Sequence, residues 1–337
     1  MQTDVHSFLA TTCYILLGVI LMLYVITDGF DLGVGILSLF EREEGRRTEM
    51  IAVINGVWDA NETWLLLFGV ALLGAFPAVY TVMLHALYIP LGMMIVALIL
   101  RAVAVVNREH TRSQRLWSLV FGGGSLIAAL GQGYALGGIV GGLPVANGEF
   151  SGSAWTWLSP FSTGVAAGVA AGYALLGGGY LIIRTRGGLQ AASRRRSRYA
   201  AWIMLFAAAA VTCVMLVLYH TLSQRWFTVP DLFLLVPLPV AALAAFIKLM
   251  RGLSHGDDYS PYVWSLIIFV TSFVGLAVSL YPYLVPPTLT LGGTASSITV
   301  LVFMLMGIGI LIPVMLVYNG YRHLVFREKV RRDADCK

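Results

Sequence analysis

Five ionisable residues stand out in an otherwise apolar sequence: Asp28 and Asp31 within TDGFDLGVG, Asp59 and Glu62 within WDANETW, and Arg101 closing LYIPLGMMIVALILR. A charged group inside a membrane span is costly, so such residues tend to face a bundle interior and to mark ion or proton routes. Asp28 and Asp31 are three residues apart, as are Asp59 and Glu62, which puts each pair on one helix face. Crowded carboxylates share protons, because ionising one opposes ionising the next. Arg101 is the natural counter-charge. This chemistry is either a proton-holding, proton-passing cluster or a salt-bridged clamp between helices, and the residues alone leave both readings open.

The spacing also carries a geometric expectation. If the charged turn EREEGRR is centred at Gly45, Asp31 and Asp59 each lie 14 residues from it, and Asp28 and Glu62 each lie 17. Two unbroken helices would then present their acids at matching depths, on the order of 20 Å from the turn's centre. Trp58, Asn61 and Trp64 give the second pair a polar, aromatic-framed setting. Gly29, Gly33 and Gly35 allow either close helix contact beside the first pair or a local unwinding of the helix.

The elements that hold these residues follow from composition. Of 337 residues 58% are hydrophobic and only 12% charged, about half the charged share of a soluble domain. Apolar stretches near 20 residues recur from Phe8 to Tyr321, which reads as one integral-membrane domain over 1–337. The expected fold class is all-α: a polytopic membrane helix bundle of nine transmembrane helices at roughly 8–40, 50–76, 79–101, 116–139, 161–183, 199–219, 231–250, 262–281 and 299–321. With the N-terminus periplasmic and the C-terminus cytoplasmic, every Lys and Arg except Arg225 falls on the inner side, from Arg42 through the RRRSR run at 194–198 to the C-terminal tail. The net charge of +5 is thus read as a topology signal and not as a nucleic-acid surface. MQTDVHS lacks the basic region of a signal peptide, so the first stretch is read as a retained helix. Gly164, Gly168 and Gly172 repeat at four-residue spacing, a stripe that suits helix packing within the bundle before an intersubunit contact.

Some chemistry is not written in the chain. Haem ligation needs inward-facing His or Met pairs at compatible depths. His6, His110, His255 and His323 fall at loops or termini, His220 ends the sixth helix, and only His85 sits inside a span. Cys13, Cys213 and Cys336 form no CxxC, and no Walker loop or HExxH is present. No catalytic residue and no metal ligand are therefore assigned to this chain. It conducts something or supports a partner, and a proton- or cation-coupled secondary transporter is the alternative from another class, although no internal repeat supports it.

Taken in order, TDGFDLGVG at 27–35, WDANETW at 58–64, the Arg101 segment, FGGGSLIAALGQGYALGG around Gln132, WLSPFSTGVAAGVAAGYALLGGGYLIIRT, YPYLVPPTLTLGGTASS and YNGYRHLVFREKV resemble subunit II of the cytochrome bd quinol oxidases, including the cyanide-insensitive branch, over essentially the full length. One departure is VVNREH at 105–110, where the family usually has an acidic and aromatic pair. The resemblance implies a bacterial inner-membrane heterodimer with a haem-bearing subunit I that carries haem b and haem d, oxidises quinol and reduces oxygen to water. This chain would contribute no haem ligand. By position, Asp59 matches the family acid associated with proton delivery, and Asp28, Asp31 and Arg101 match positions near the inner surface; Glu62, three residues from Asp59, is expected to assist it. The resemblance extends to a structural quinone held in this subunit by some members, and to small single-helix subunits.

Overall fold

The computed structural model describes residues 2–108, 111, 113–218, 229 and 231–325. His110, His220, Arg225 and Cys336, named above, lie outside the described residues. The chain is an all-α bundle, and among the described residues eight helices are long and apolar enough to cross a membrane. The helices are α1 (Gln2–Leu39), α2 (Glu44–Ile54), α3 (Trp58–Ala75), α4 (Pro77–Arg108), α5 (Gln114–Gly141), α6 (Pro160–Arg184), α7 (Gly187–Leu218), α8 (Asp231–Leu235), α9 (Pro237–His255), α10 (Ser260–Leu280), α11 (Leu291–Thr294) and α12 (Ile298–Val325). Two short antiparallel hairpins, β1 (Val145–Ala146) with β2 (Glu149–Phe150) and β3 (Tyr283–Val285) with β4 (Leu289–Thr290), close loops between helices.

Three expectations are corrected. The helix anticipated over 50–76 is interrupted at Asn55–Val57, where an Asn-Gly pair punctuates the chain. α2 is a separate helix with polar residues over much of its length, and α3 has only 18 residues, two of them acids that lower its hydropathy. The RRRSR run lies inside α7, not in a loop before it, because Arg and Ala are good helix formers. The stretch anticipated at 231–250 is split at Val236, with Pro237 opening α9 as a first-turn proline.

Side-chain contacts sort the connections onto two ends. At one end, which holds the basic segments, Arg196 Nη2 bonds Glu41 Oε2 at 2.9 Å, Arg194 Nη2 bonds Asp258 Oδ1 at 2.7 Å, and Arg108 Nη2 bonds Glu44 Oε1 at 2.9 Å. At the other end His6 meets the Ser296 carbonyl at 3.0 Å and Ser296 Oγ donates to the Gly74 carbonyl at 2.7 Å. Gly164 and Gly168 face Val211 and Ala207 of α7, and Gly172 faces Phe269 of α10, so the small-residue stripe packs helices within this chain.

The basic end is locked by carboxylates. Glu44 accepts from Ser118 Oγ (2.5 Å), Arg108 Nη2 (2.9 Å) and Arg47 Nη1 (3.0 Å), joining α2, α4 and α5. Burial alone would push Glu44 up, but these hydrogen bonds and the Arg47 charge outweigh it and hold Glu44 below its ordinary value of 4.5. Glu41 is lowered in the same way: burial opposes, and the Glu43 and Arg42 amides with Arg196 prevail. A depressed folded value means the stabilisation is complete above the unfolded value and is lost as pH falls through the folded one. The melting temperature of the detergent-solubilised chain is therefore expected to hold down to about pH 4.5 and to decline below it. Replacing both acids by Gln should flatten that decline; an unchanged slope would remove these two groups as its cause.

Candidate functional site

α1 runs unbroken through both acids and the three glycines. Of the two outcomes open to Gly33, close contact prevails: a Cβ there would collide with the Tyr173 carbonyl on α6, and one at Gly177 would collide with the backbone of Val34 and Gly33. α1 and α6 thus touch backbone to backbone, and Asp28 and Asp31 are sealed inside with no solvent exposure.

Arg101, also fully buried, reaches in from α4, whose helix is kinked at Leu87 one turn before Pro90. Its Nη2 donates to Asp28 Oδ1 and to Glu62 Oε1, each at 2.7 Å. Asp28 and Glu62 therefore meet on one guanidinium, although the premise of two unbroken helices about Gly45 fails: Gly45 lies inside α2, and the chain breaks at Asn55–Val57. Asp31 does not meet Asp59. Its α3 partner is Asn61, whose Nδ2 donates to Asp31 Oδ2 at 2.7 Å and to the Thr27 carbonyl at 3.2 Å. Asp59 points the other way, with its side chain 46% exposed, and accepts from Arg322 Nη2 of α12 at 2.7 Å. Arg322 Nε also bonds the Gly56 carbonyl at 2.8 Å, which pins the break between α2 and α3.

A neutral polar chain flanks the ionic one. Tyr173 donates to Gln132 Oε1 at 2.6 Å, and Gln132 Nε2 donates to Tyr24 at 2.7 Å, one helical turn before Asp28 on α1. Trp64 is buried and Trp58 half-buried beside these groups on α3. Around Arg101, three buried donors (Arg101 Nε and Nη1, Trp64 Nε1) and three buried acceptors (Asp28 Oδ2, Asp31 Oδ1, Asn61 Oδ1) have no protein partner among the described residues. Buried polar atoms of this kind are the usual anchor points of internal water.

The outer face of α3 combines the two kinds of surface. Asp59 and Glu62, the latter 25% exposed, lie in line with Leu66, Val70 and Leu73, which are strongly exposed. The site is thus a buried clamp of Asp28, Arg101, Asp31 and Asn61 with two acids on its outward side. The sequence identified all of these residues, and missed Arg322, Tyr24 and Tyr173, which carry no spacing signal toward the motifs. The remaining histidines stand apart: His85 lines a cavity of 410 Å³ with Thr81, Tyr88 and Glu149, and His323 packs against Phe30 with ring centroids 5.8 Å apart.

A family model described as cytochrome bd terminal oxidase subunit II matches residues 9–326. The cytochrome bd-I ubiquinol oxidase subunit 2 of Escherichia coli (strain K12) is 34% identical over 203 residues, 57% of this chain and 53% of that protein. The cytochrome bd ubiquinol oxidase subunit 2 of Bacillus subtilis (strain 168) is 35% identical over 136 residues, 39% of this chain and 40% of that one. The matched segment thus spans about half the length of the Escherichia coli relative, and less of the Bacillus subtilis one. A chain in the solved bd oxidase from Geobacillus thermodenitrificans superposes with a TM-score of 0.76 at 18% identity, covering 95% of this chain and 100% of that chain.

Proposed function

This chain belongs to the cytochrome bd terminal oxidase subunit II family, and from that premise we propose that it is the haem-free second subunit of a quinol:oxygen oxidoreductase. In this reading it pairs with a haem-bearing subunit I in a bacterial inner membrane, with its basic end cytoplasmic and its N-terminus periplasmic. The haems b and d belong to the partner.

The observation that carries the proposal is the outward face of α3. Leu66, Val70 and Leu73 suit lipid or protein equally, but Asp59 and Glu62 on the same stripe do not suit hydrocarbon. A charged group at the centre of a span costs about 3 kcal/mol by insertion scales, and the ion pairs to Arg322 and Arg101 offset only part of that for acids left on an outward face. A protein partner removes that cost if its own polar groups meet the two acids. The same placement gives the acids a task. Asp59, paired with Arg322, is open at the basic end, and Glu62 lies one turn deeper, paired with Arg101 behind it. A proton entering at Asp59 and passing to Glu62 stays on the partner's side of the helix, while the sealed Asp28 and Asp31 hold Arg101 in position.

Affinity purification of the tagged full chain from its native membrane tests the assignment. The expected product carries a second large subunit and the visible absorbance of b- and d-type haems. A colourless chain without such a partner would overturn it and favour transport.

A further inference from the structure

α7 and α9 leave a groove between them near the basic end, well away from the acid cluster. Its cavity measures 340 Å³. Its walls are carbon: Trp202 on α7, and Phe246, Ile247 and Met250 on α9. Trp202 stands edge-on to the buried Phe246 ring, with centroids 5.3 Å apart and planes at 70°, which sets the width of the slot. At the end nearest the basic loops the lining turns polar, with Arg251, Ser254 and His255 one helical turn apart on α9.

Among the described residues, the slot lining itself contains no acid. His255 Nδ1 is held by the Arg251 carbonyl at 2.9 Å, which turns its Nε2 away from the helix. Arg198, one turn before Trp202 on α7, donates to the Leu253 carbonyl at 3.3 Å and brings a second guanidinium to the same end. Asp258 accepts from Arg194 at 2.7 Å. The Asp257 carboxylate lies on the α10 side, close to where a side chain at Gly252 would meet Ser260. The Arg251 side chain has no ion-pair partner among the described residues.

We propose that this groove binds an anionic phospholipid of the inner leaflet, with an acyl chain along Trp202 and Met250 and the phosphate at Arg251 and His255. A carbon slot ending in cations at headgroup depth matches an amphiphile of that polarity. A zwitterionic lipid gains less, because neither carboxylate at this helix end, Asp257 or Asp258, lines the slot to meet its ammonium group. A partner helix, about 10 Å across, needs a trough several times larger than this cavity. The inference does not depend on the redox role of the complex.

The test uses the full chain, with whatever partner copurifies, in nanodiscs of equal phosphatidylglycerol and phosphatidylcholine, released in a mass spectrometer that counts retained lipids. Phosphatidylglycerol is expected to be retained in excess. Arg251→Gln should lower the phosphatidylglycerol-to-phosphatidylcholine ratio about fivefold, whereas Arg251→Lys, and Lys248→Gln on the same helix outside the groove, should leave it unchanged. Trp202→Ala should reduce the retention of both lipids. An Arg251→Gln ratio equal to wild type, an equal loss with Lys248→Gln, displacement of the lipid by inorganic phosphate alone, or a small protein subunit in the groove would each overturn the proposal.

Discussion

Replacing Arg101 by Met is expected to abolish recovery of monodisperse, folded protein. Its guanidinium is fully buried and is the shared partner of Asp28, also fully buried, and Glu62. Removing one member of a buried ion pair costs about 3–5 kcal/mol, because the remaining charge keeps its desolvation penalty and loses its compensation. That is a large fraction of the stability of an ordinary domain. Adding Asp28→Asn and Glu62→Gln to Arg101→Met removes the orphaned charges and should restore much of the yield, which a loss caused by packing alone would not allow. Arg101→Lys should be intermediate, since a single ammonium cannot reproduce the fork of donors. Asp31→Asn makes the useful contrast. An amide at 31 still accepts from Asn61 Nδ2 and gains an N–H for Asn61 Oδ1, which has no partner among the described residues. It should leave yield and melting temperature near wild type, as measured by size-exclusion chromatography and a thermal melt.

The second large effect is expected at Gly33. Alanine there places a methyl group against the Tyr173 carbonyl and the Gly177 amide, backbone atoms that cannot swing aside as a side chain would. Overpacking typically costs about 1–3 kcal/mol, and a backbone-to-backbone contact belongs at the upper end. The consequence should spread, because Gly29 on the same face already abuts the Tyr173 ring, and Tyr173 anchors the chain through Gln132 to Tyr24. Gly177→Ala, which meets the same seam from α6, should be as damaging. Gly69→Ala and Gly123→Ala have open space at the added carbon and should be silent or slightly stabilising. Comparable melting temperatures for the Gly33 and Gly69 variants would show that the α1–α6 seam yields more easily than its geometry implies.

Hydropathy and the distribution of Arg were enough to expect a helical membrane bundle, because the bilayer dictates both span length and backbone satisfaction. They read through the interruption at Asn55–Val57, although Asn55-Gly56 is an ordinary turn signal. An apolar average over 50–76 outweighed a local break that Arg322, more than 260 residues away, helps to hold. The helical start of α7 was missed because a run of arginines suggests a loop, whereas their intrinsic preference is helical. At the site, spacing paired Asp28 with Glu62, which Arg101 does join, but on a premise that fails, since Gly45 lies inside α2 and the second helix is broken at Asn55–Val57. It mispaired Asp31 with Asp59, since equal depth on two helices does not fix which way each residue faces. Rotation of α3 about its own axis is set by packing against α1 and α12, and that puts Asn61 inward and Asp59 outward.

That outward position leads to the most direct test of the proton route. In the assembled, purified complex reconstituted into proteoliposomes, Asp59→Asn should slow turnover and membrane-potential generation severalfold. Arg322→Gln breaks the same ion pair but keeps the carboxylate, and should leave both rates close to wild type. Unchanged turnover and potential in Asp59→Asn, or equal losses in the two variants, would contradict the proton role and leave Asp59 as a link between α3 and α12.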